Sequence, residues 1–588
     1  MRTFFGSFLS FVLCGTLSAQ MTPAQRVEDF NVLTDLYAKR YAPWSWKAQA
    51  LGFDLFQTSS WLDQVRRAKD DLEYYEIAER YVASLQDTHT QFRVPSAFTA
   101  DTGIAVDIYD GKVLIDSINR LALPQSQYPF QIGDEIVSVD GQTSEQWIAY
   151  LSQLRRWGSP LTTRRDAADR ITFRPQSLVP RAVELGDTAS IVIRSGNTGD
   201  VATYAVPWMK QGFPLVQVGP SPSPPYSVSP NSTRAAEQVD QEPDYLAPLN
   251  ALRNWSLPSD YPLFQGATTS EDGTDILPRR YVLGVGSRAP VFVRGLPAGF
   301  VQRFGTNAAD FHFSGTWTTG GRTIGYLRIP NFAPLSAALA IRELDTEIAY
   351  FQMNTDGLVI DVMRNPGGGC YMANVAAHLI PQNFYFFGEE LRPELDLINS
   401  LEVALQLATL GHAAQWIIDT YSSYLSDITQ AYSQNRGMTG PIAACSQLLT
   451  PFPPNTVQFP ASTVYTKPLI ILVDEFSISA ADIFPAMMQD NNRGVVVGMR
   501  TSGGGGSVSS WPAGYYSEAI ASNTNTLVVR NHPIVTAEYP AAPLVENIGV
   551  RPDMTLDYMT RDNLINHGAT FVTQFTSILL DQINSLQQ

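Results

Sequence analysis

Two stretches of this chain, Leu358-Val359-Ile360-Asp361-Val362 and Leu469-Ile470-Ile471-Leu472-Val473, are almost continuously apolar. A strand with one solvated face alternates apolar and polar residues, so runs like these belong to strands covered on both faces by helices. Thr323 to Ile329 and Val495 to Val497 read as further strands, and Pro334 to Gln352 as an amphipathic helix. Strands alternating with helices from about residue 280 onward make this half of the chain α/β.

Each buried strand runs into an unusual turn. The first leads to Arg364-Asn365-Pro366-Gly367-Gly368-Gly369 before a helix. Three glycines let the backbone approach another group closely and aim amides at a developing negative charge. A phosphate cradle is the rival, but the Lys and Ser/Thr of a Walker-type loop do not follow. The second leads to Asp474-Glu475-Phe476-Ser477-Ile478-Ser479-Ala480-Ala481-Asp482. A serine on a sharp strand-to-helix turn projects its hydroxyl, and the next amide lies ready for an oxyanion. A plain helix cap would explain the serine alone but not the glycine loop. Pro485, so soon afterwards, predicts a kink or a later start for the helix.

Upstream, residues 1–19 have the basic start, apolar stretch and small-residue end of a secretory signal, too short to span a membrane. Residues 20–97 read as a helical domain. Thr22-Pro23 is a helix start, and Ile77, Tyr81 and Leu85 form a buried stripe leading toward Asp87-Thr88-His89-Thr90 at the helix end. Residues 98–210 are β-rich, and Ile132 to Gly141 resembles the most recognisable segment of PDZ domains, which bind peptides by strand addition. Residues 211–278, rich in Pro and Ser, read as a linker or insert. The remainder, 279–588, is the α/β domain, with a helical insertion at about 391–435 where Val403, Leu407 and Leu410 share a face.

The formal net charge is −16, and no Lys/Arg cluster is present, which argues against nucleic acid and anionic membrane as partners. Once the signal is removed, Cys370 and Cys445 remain. They are too few for a disulfide framework, and nothing in the sequence supports a bridge between them. Cys370 reads as a small filler behind the glycine loop. No Cys/His spacing resembles a zinc site, so neither metal nor cofactor is expected.

Asn-Pro-Gly-Gly-Gly together with Ser-x-Ser-Ala-Ala-Asp-Ile-Phe, Asp490 and a Val-Val-Val-Gly strand resembles the carboxyl-terminal processing (tail-specific) serine proteases. Their common form pairs the serine with a later lysine. Here Gly504 stands at that place, within Thr501-Ser502-Gly503-Gly504-Gly505-Gly506, and no lysine follows Ser479. The chain is similar instead to the tricorn-like branch, through Asp87-Thr88-His89-Thr90 and Val545-Glu546-Asn547-Ile548-Gly549-Val550. Tyr41-Ala42-Pro43, Trp46-Lys47, Leu51-Gly52, Asp490-Asn491 with Arg493, and Arg500-Thr501 are also similar to a member of that branch.

The resemblance implies a crotonase/ClpP-like α/β protease core with an N-terminal helical domain and an inserted PDZ-like domain. It implies Ser479 as nucleophile, His89 as general base, Glu546 as orienting carboxylate, and an oxyanion hole of the Gly368 and Ala480 amides. Which glycine of the loop donates is open. His532 is the reserve base, and His312, His378, His412 and His567 read as structural. Protein or peptide substrates, export from the cytoplasm and a homodimer are implied too. So is a self-blocking segment, drawn from Tyr245-Leu246 through Leu252 or from Trp255-Ser256-Leu257, that is cut to release activity. The alternatives are a catalytically silent peptide-binding protein on the same fold and a non-peptidase hydrolase or acyltransferase on a crotonase-like core.

Overall fold

The computed structural model describes residues 20–217, 243–253, 255–256, 284–443, 445, 457–458 and 460–585. The signal segment and most of the Pro/Ser-rich stretch lie outside them.

Four helices come first: Pro23–Arg40, Trp44–Leu51, Ser59–Arg67 and Asp71–Ala83. The first begins as its sequence predicts. Thr22 caps it, Gln25 completes the capping box, and Pro23 occupies the first helical position. Ile77, Tyr81 and Leu85 are buried in the core of this layer. The last helix stops sooner than its periodicity suggests. Gln86 takes φ +49° and turns the chain, so His89 lies in an irregular segment beyond the helix rather than at its end.

A six-stranded antiparallel sheet follows, ordered Ile104–Tyr109, Lys112–Ile118, Glu135–Val139, Thr188–Arg194 and Val201–Pro207, with Gln142–Thr143 also paired to Glu135–Val139. The helices Ser144–Leu154 and Pro160–Asp169 lie between the third and fourth strands in sequence. Phe476 and Ile478, from the far end of the chain, are part of this layer's hydrophobic core.

The α/β half is built on a seven-stranded sheet ordered Val301–Phe304, Phe313–Thr319, Arg322–Arg328, Gly357–Asp361, Leu469–Val473, Val495–Gly498 and Met554–Thr555. Its first three strands pair antiparallel and the rest parallel. Alternate residues of the two apolar runs enter different cores. Leu358, Ile360, Leu469, Ile471 and Val473 pack with the helices Ala337–Asn354, Tyr371–Leu379 and Ala480–Asp490. Val359, Ile470 and Leu472 face Phe571, Phe575 and Leu579 of the Ala569–Ser585 helix. Both faces are covered, which is why the runs are apolar throughout except at Asp361, whose buried carboxylate is paired with Arg328.

Three local expectations need correction. The Ala480–Asp490 helix runs straight through Pro485. Its residues 480–488 are all buried, so packing on both sides holds a helix that propensity alone would break. In the insertion, Val403, Leu407 and Leu410 point outward, at 54%, 42% and 77% exposure. The Leu395–Leu410 helix instead buries its smaller face, Leu401, Ala404 and Ala408, against Gln415–Ser433 and Ala247–Leu252. Cys370 is not a mere filler: it is disulfide-bonded to Cys445, 75 residues away, tying the glycine-loop helix to the far end of the insertion.

Closing a loop of 75 residues restricts the unfolded chain enough to contribute about 4 kcal/mol in a chain-entropy treatment, less any native strain. Cys445→Ser is therefore expected to lower the unfolding free energy by about 2–4 kcal/mol. Denaturant unfolding of the oxidised wild type and the variant, each with and without reductant, measures it. Reductant should affect only the wild type.

Candidate active site

Ser479 ends the loop that leaves the central Leu469–Val473 strand and immediately precedes a helix. Its backbone lies at φ 61° and ψ −115°, a region that a residue with a side chain occupies only when its surroundings hold it there. Asp482 supplies much of the hold. One carboxylate oxygen, Oδ2, accepts from the Ser479 N–H at 2.7 Å, from Ser502 Oγ at 2.9 Å and from the Gly504 N–H at 3.2 Å. The other accepts from the Gly503 N–H at 2.9 Å. Burial pushes this carboxyl up to about 6, although its donors pull it down. Asp482 thus fastens the Ser479 turn to the glycine run 501–506, and the sequence did not single it out for this.

That glycine run also packs against the segment that carries His89. A Cβ on Gly504 would meet the Thr88 side chain at 2.9 Å and His89 Cε1 at 3.3 Å. A side chain at 504 would therefore collide with Thr88 and crowd the His89 ring. His89 is fully buried, and its Nε2 lies 2.8 Å from Ser479 Oγ across 390 residues of sequence. A serine hydroxyl donating to Nε2 requires the tautomer protonated at Nδ1. Nδ1 is buried and makes no hydrogen bond among the described residues. Burial pushes the imidazole down to about 4, against the upward pull of Asp87 and with Arg155 adding to the depression.

Glu546 is also fully buried, but it makes no hydrogen bond to His89 among the described residues. One of its oxygens forms an ion pair with Lys47 Nζ and the other accepts from the Gly505 N–H at 3.2 Å. Burial and the charge of Asp87 push this carboxyl up to about 8, against the pull of Lys47. Lys47 further donates to Asn547 Oδ1 at 2.6 Å and to the Gln86 carbonyl at 2.9 Å. Asn547 Nδ2 returns to that same carbonyl at 2.7 Å. The structure therefore brings Ser479 and His89 into direct contact and seats Glu546 behind them, on a lysine that sequence reasoning left without a role.

The glycine loop packs against Ser479. A Cβ on Gly367 would lie 2.8 Å from Ser479 Cβ and 3.0 Å from the Ala480 N. The Gly367 N–H is taken by Asn365 Oδ1 at 2.8 Å. Ala480 is the first residue of its helix, where an N–H has no intrahelical acceptor. Gly367–Gly368 also form a short strand, paired antiparallel with Trp255–Ser256. Just before that segment, the Ala247–Leu252 helix packs on the helical insertion.

The PDZ-like layer reaches this turn as well. Arg165 binds Asp107 through two nitrogens, at 2.7 and 3.1 Å, and Glu475 at 2.9 Å, while Thr162 Oγ1 donates to the Glu475 carbonyl at 2.7 Å. The remaining histidines lie elsewhere. His532 is half exposed, hydrogen-bonded to Asn531 and near Asp490. His312 bridges Glu343 and Tyr371, and His378 pairs with Asp345.

Comparison with known proteins places these features in a family context. Residues 323–556 match peptidase family S41, and residues 99–212 match the PDZ domain family. An uncharacterized protein of Chlamydia muridarum is 24% identical over 95% of this chain and 93% of its own length. The crystal structure of mature CPAF superposes with a TM-score of 0.70 at 20% identity, covering 96% of this chain and 98% of that one. Mature CPAF complexed with lactacystin superposes at 0.69 with 21% identity, over 96% and 99% of the two chains. No helix among the described residues is long and apolar enough to cross a membrane.

Asp482→Ala removes four hydrogen bonds at the Ser479 turn. It is expected to lower kcat/KM by about a hundredfold, the scale of misplacing a reacting group by an ångström. Asp482→Asn, which keeps one acceptor oxygen, should lose less. Peptide hydrolysis by the two variants, with circular dichroism to confirm folding, checks the ordering.

Proposed function

We propose that this serine peptidase, whose residues 323–556 form a peptidase family S41 domain and residues 99–212 a PDZ domain, is an endopeptidase that cuts protein substrates with Ser479, His89 and Glu546. The observation that carries the reading is the 2.8 Å contact between Ser479 Oγ and His89 Nε2, made between two fully buried side chains 390 residues apart. A serine hydroxyl is a poor nucleophile at neutral pH, and a base already within hydrogen-bond reach removes its proton as the bond to the carbonyl carbon forms. The resulting imidazolium then protonates the leaving amine. Glu546 is the buried carboxyl behind the base, fixed by Lys47 and the Gly505 amide. The oxyanion is received by the Ala480 amide and by the glycine loop; Gly368 is the donor this reading puts forward, since the N–H of Gly367, which packs on Ser479, is taken by Asn365.

Ser479→Ala and His89→Ala are each expected to abolish peptide hydrolysis without unfolding the protein, whereas Glu546→Gln should retain a trace. Because burial holds the imidazole down at about 4, kcat/KM should rise on an acid limb below the ordinary histidine range and then stay level through neutrality. Hydrolysis of casein at wild-type rate by Ser479→Ala would overturn the assignment. So would a rate that climbs until a lysine deprotonates.

The same reading includes export by the N-terminal signal, a homodimer, and synthesis as a self-inhibited precursor. What supports self-inhibition is the placement of Trp255–Ser256 as an antiparallel strand on Gly367–Gly368, the edge a substrate backbone would need. The chain before that strand docks through Leu249 and Leu252, so the blocking piece is held at high effective concentration while the tether is intact. Wild-type protein is expected to nick itself between residues 219 and 275, faster at higher concentration, while Ser479→Ala remains one chain. Electrophoresis of both over time tests this. Protein fully active from the start and never cut in that stretch would remove the self-inhibition and leave the peptidase standing.

A further inference from the structure

We propose that Asp87, two residues before the base, is the positioning residue that supplies the negative charge stabilising His89 as it takes the serine proton. This inference rests on the Ser479–His89 reading above. His89 Nδ1 has no hydrogen-bond partner among the described residues, and both Glu546 oxygens are engaged elsewhere, by Lys47 and the Gly505 amide. Asp87 is the carboxylate that reaches the base's own backbone. Its Oδ1 accepts from the His89 N–H at 2.8 Å and the Thr90 N–H at 3.2 Å. Tyr41 Oη donates to Oδ2 at 2.8 Å, and Thr524 Oγ1 lies 2.9 Å from Oδ2 and 3.0 Å from Oδ1.

All four of these donors are uncharged. They fix the carboxylate in place without neutralising it, and they leave it fully buried, where its field is weakly screened. Burial alone would raise the Asp87 pKa; Lys47, His89 and the Tyr41 hydrogen bond outweigh it and hold the group ionised. The charged and titratable groups around the pair come from every neighbouring element. Tyr37 and Tyr41 stand on the first-helix side, Lys47 on the second helix, Arg155 on the PDZ-like layer and Glu546 on the late loop. Arg155 opposes protonation of His89 and Asp87 favours it. Asp87 thus acts in two ways: it anchors the backbone from which the imidazole projects toward Ser479, and it lowers the energy of the imidazolium.

Asp87→Asn keeps the shape and an acceptor oxygen but removes the charge. It is expected to cut kcat/KM roughly tenfold or more and to move the acid limb to lower pH, since losing a negative neighbour makes the imidazolium harder to form. Tyr41→Phe removes one donor and keeps the charge, so its acid limb should move to higher pH. Opposite shifts are the signature, because a purely structural loss would lower rates without displacing the limb in opposite senses. A folded Asp87→Asn with the wild-type rate and limb would overturn the proposal. If that variant fails to fold, an unshifted limb in Tyr41→Phe overturns it. His89→Ala assayed alongside separates the two levels of argument: if it is inactive while both limbs stay put, only the role of Asp87 fails, and if it remains active, the base assignment fails too.

Discussion

The site depends on a backbone conformation that Ser479 would not adopt by itself. A non-glycine residue at φ 61° and ψ −115° costs about 1–3 kcal/mol, and it persists only where neighbours over-determine it. Here the neighbours arrive from three directions. Asp482 grips the Ser479 amide from the helix that follows, while the loop 501–504 is gripped by the same carboxylate. Gly367 closes over Ser479 Cβ, leaving no space for a side chain of its own. From the PDZ-like layer, Arg165 and Thr162 hold Glu475 at the entry to the turn, and Phe476 and Ile478 are buried in that layer's core. The geometry of Ser479 is therefore a property of several layers packed together, not of a local motif.

The same packing explains why His89 can reach Ser479 from the other end of the chain. His89 follows an irregular turn that begins at Gln86, and that turn is fastened to the late loop through Lys47 and Asn547, both bonded to the Gln86 carbonyl. The Thr524 hydroxyl and the Ser522 hydroxyl secure Asp87 and the His89 carbonyl from a neighbouring strand. A histidine held this firmly loses little freedom when it takes a proton. Its burial lowers its basicity, and the Asp87 carboxylate works against that loss.

The strands and nucleophile turn were legible in the sequence because their signals are local. Apolar runs that need cover on both faces, a capping box and a run of glycines each state their geometry within a few residues. Tyr41, Trp46-Lys47 and Glu546-Asn547 were also visible, but only as separate stretches of resemblance. In the fold they converge behind His89, where Trp46 and Lys47 both donate to Asn547 and Tyr41 donates to Asp87. No spacing rule could have announced that meeting, since its partners lie about 500 residues apart and are joined by tertiary contact alone. The outward turn of Val403, Leu407 and Leu410 was hidden for a related reason. A helix with apolar residues on two faces does not say which face its neighbours will cover, and here the small residues won because two helices could approach more closely over Ala404 and Ala408.

The glycine loop shows how closely catalysis and access are joined in this architecture. Gly368 lies at φ 151°, and a Cβ there would fall 2.0 Å from the Phe332 carbonyl carbon, so no side chain fits. The loop is wedged between Phe332, which bonds to Gly367 and Gly369, and the Trp255–Ser256 strand. If Ser479 cleaves as proposed, an extended chain brought to it would meet the same row of backbone groups that Trp255–Ser256 now occupies. On the proposed reading, substrate and blocking segment compete for one edge, and the competition is settled by tether length and not by sequence complementarity. A strand pair of two residues is weak when its partner is free in solution. Held next to its edge by a docked helix, it excludes a dilute substrate effectively, and cutting the chain beyond it changes that balance without altering a single catalytic atom.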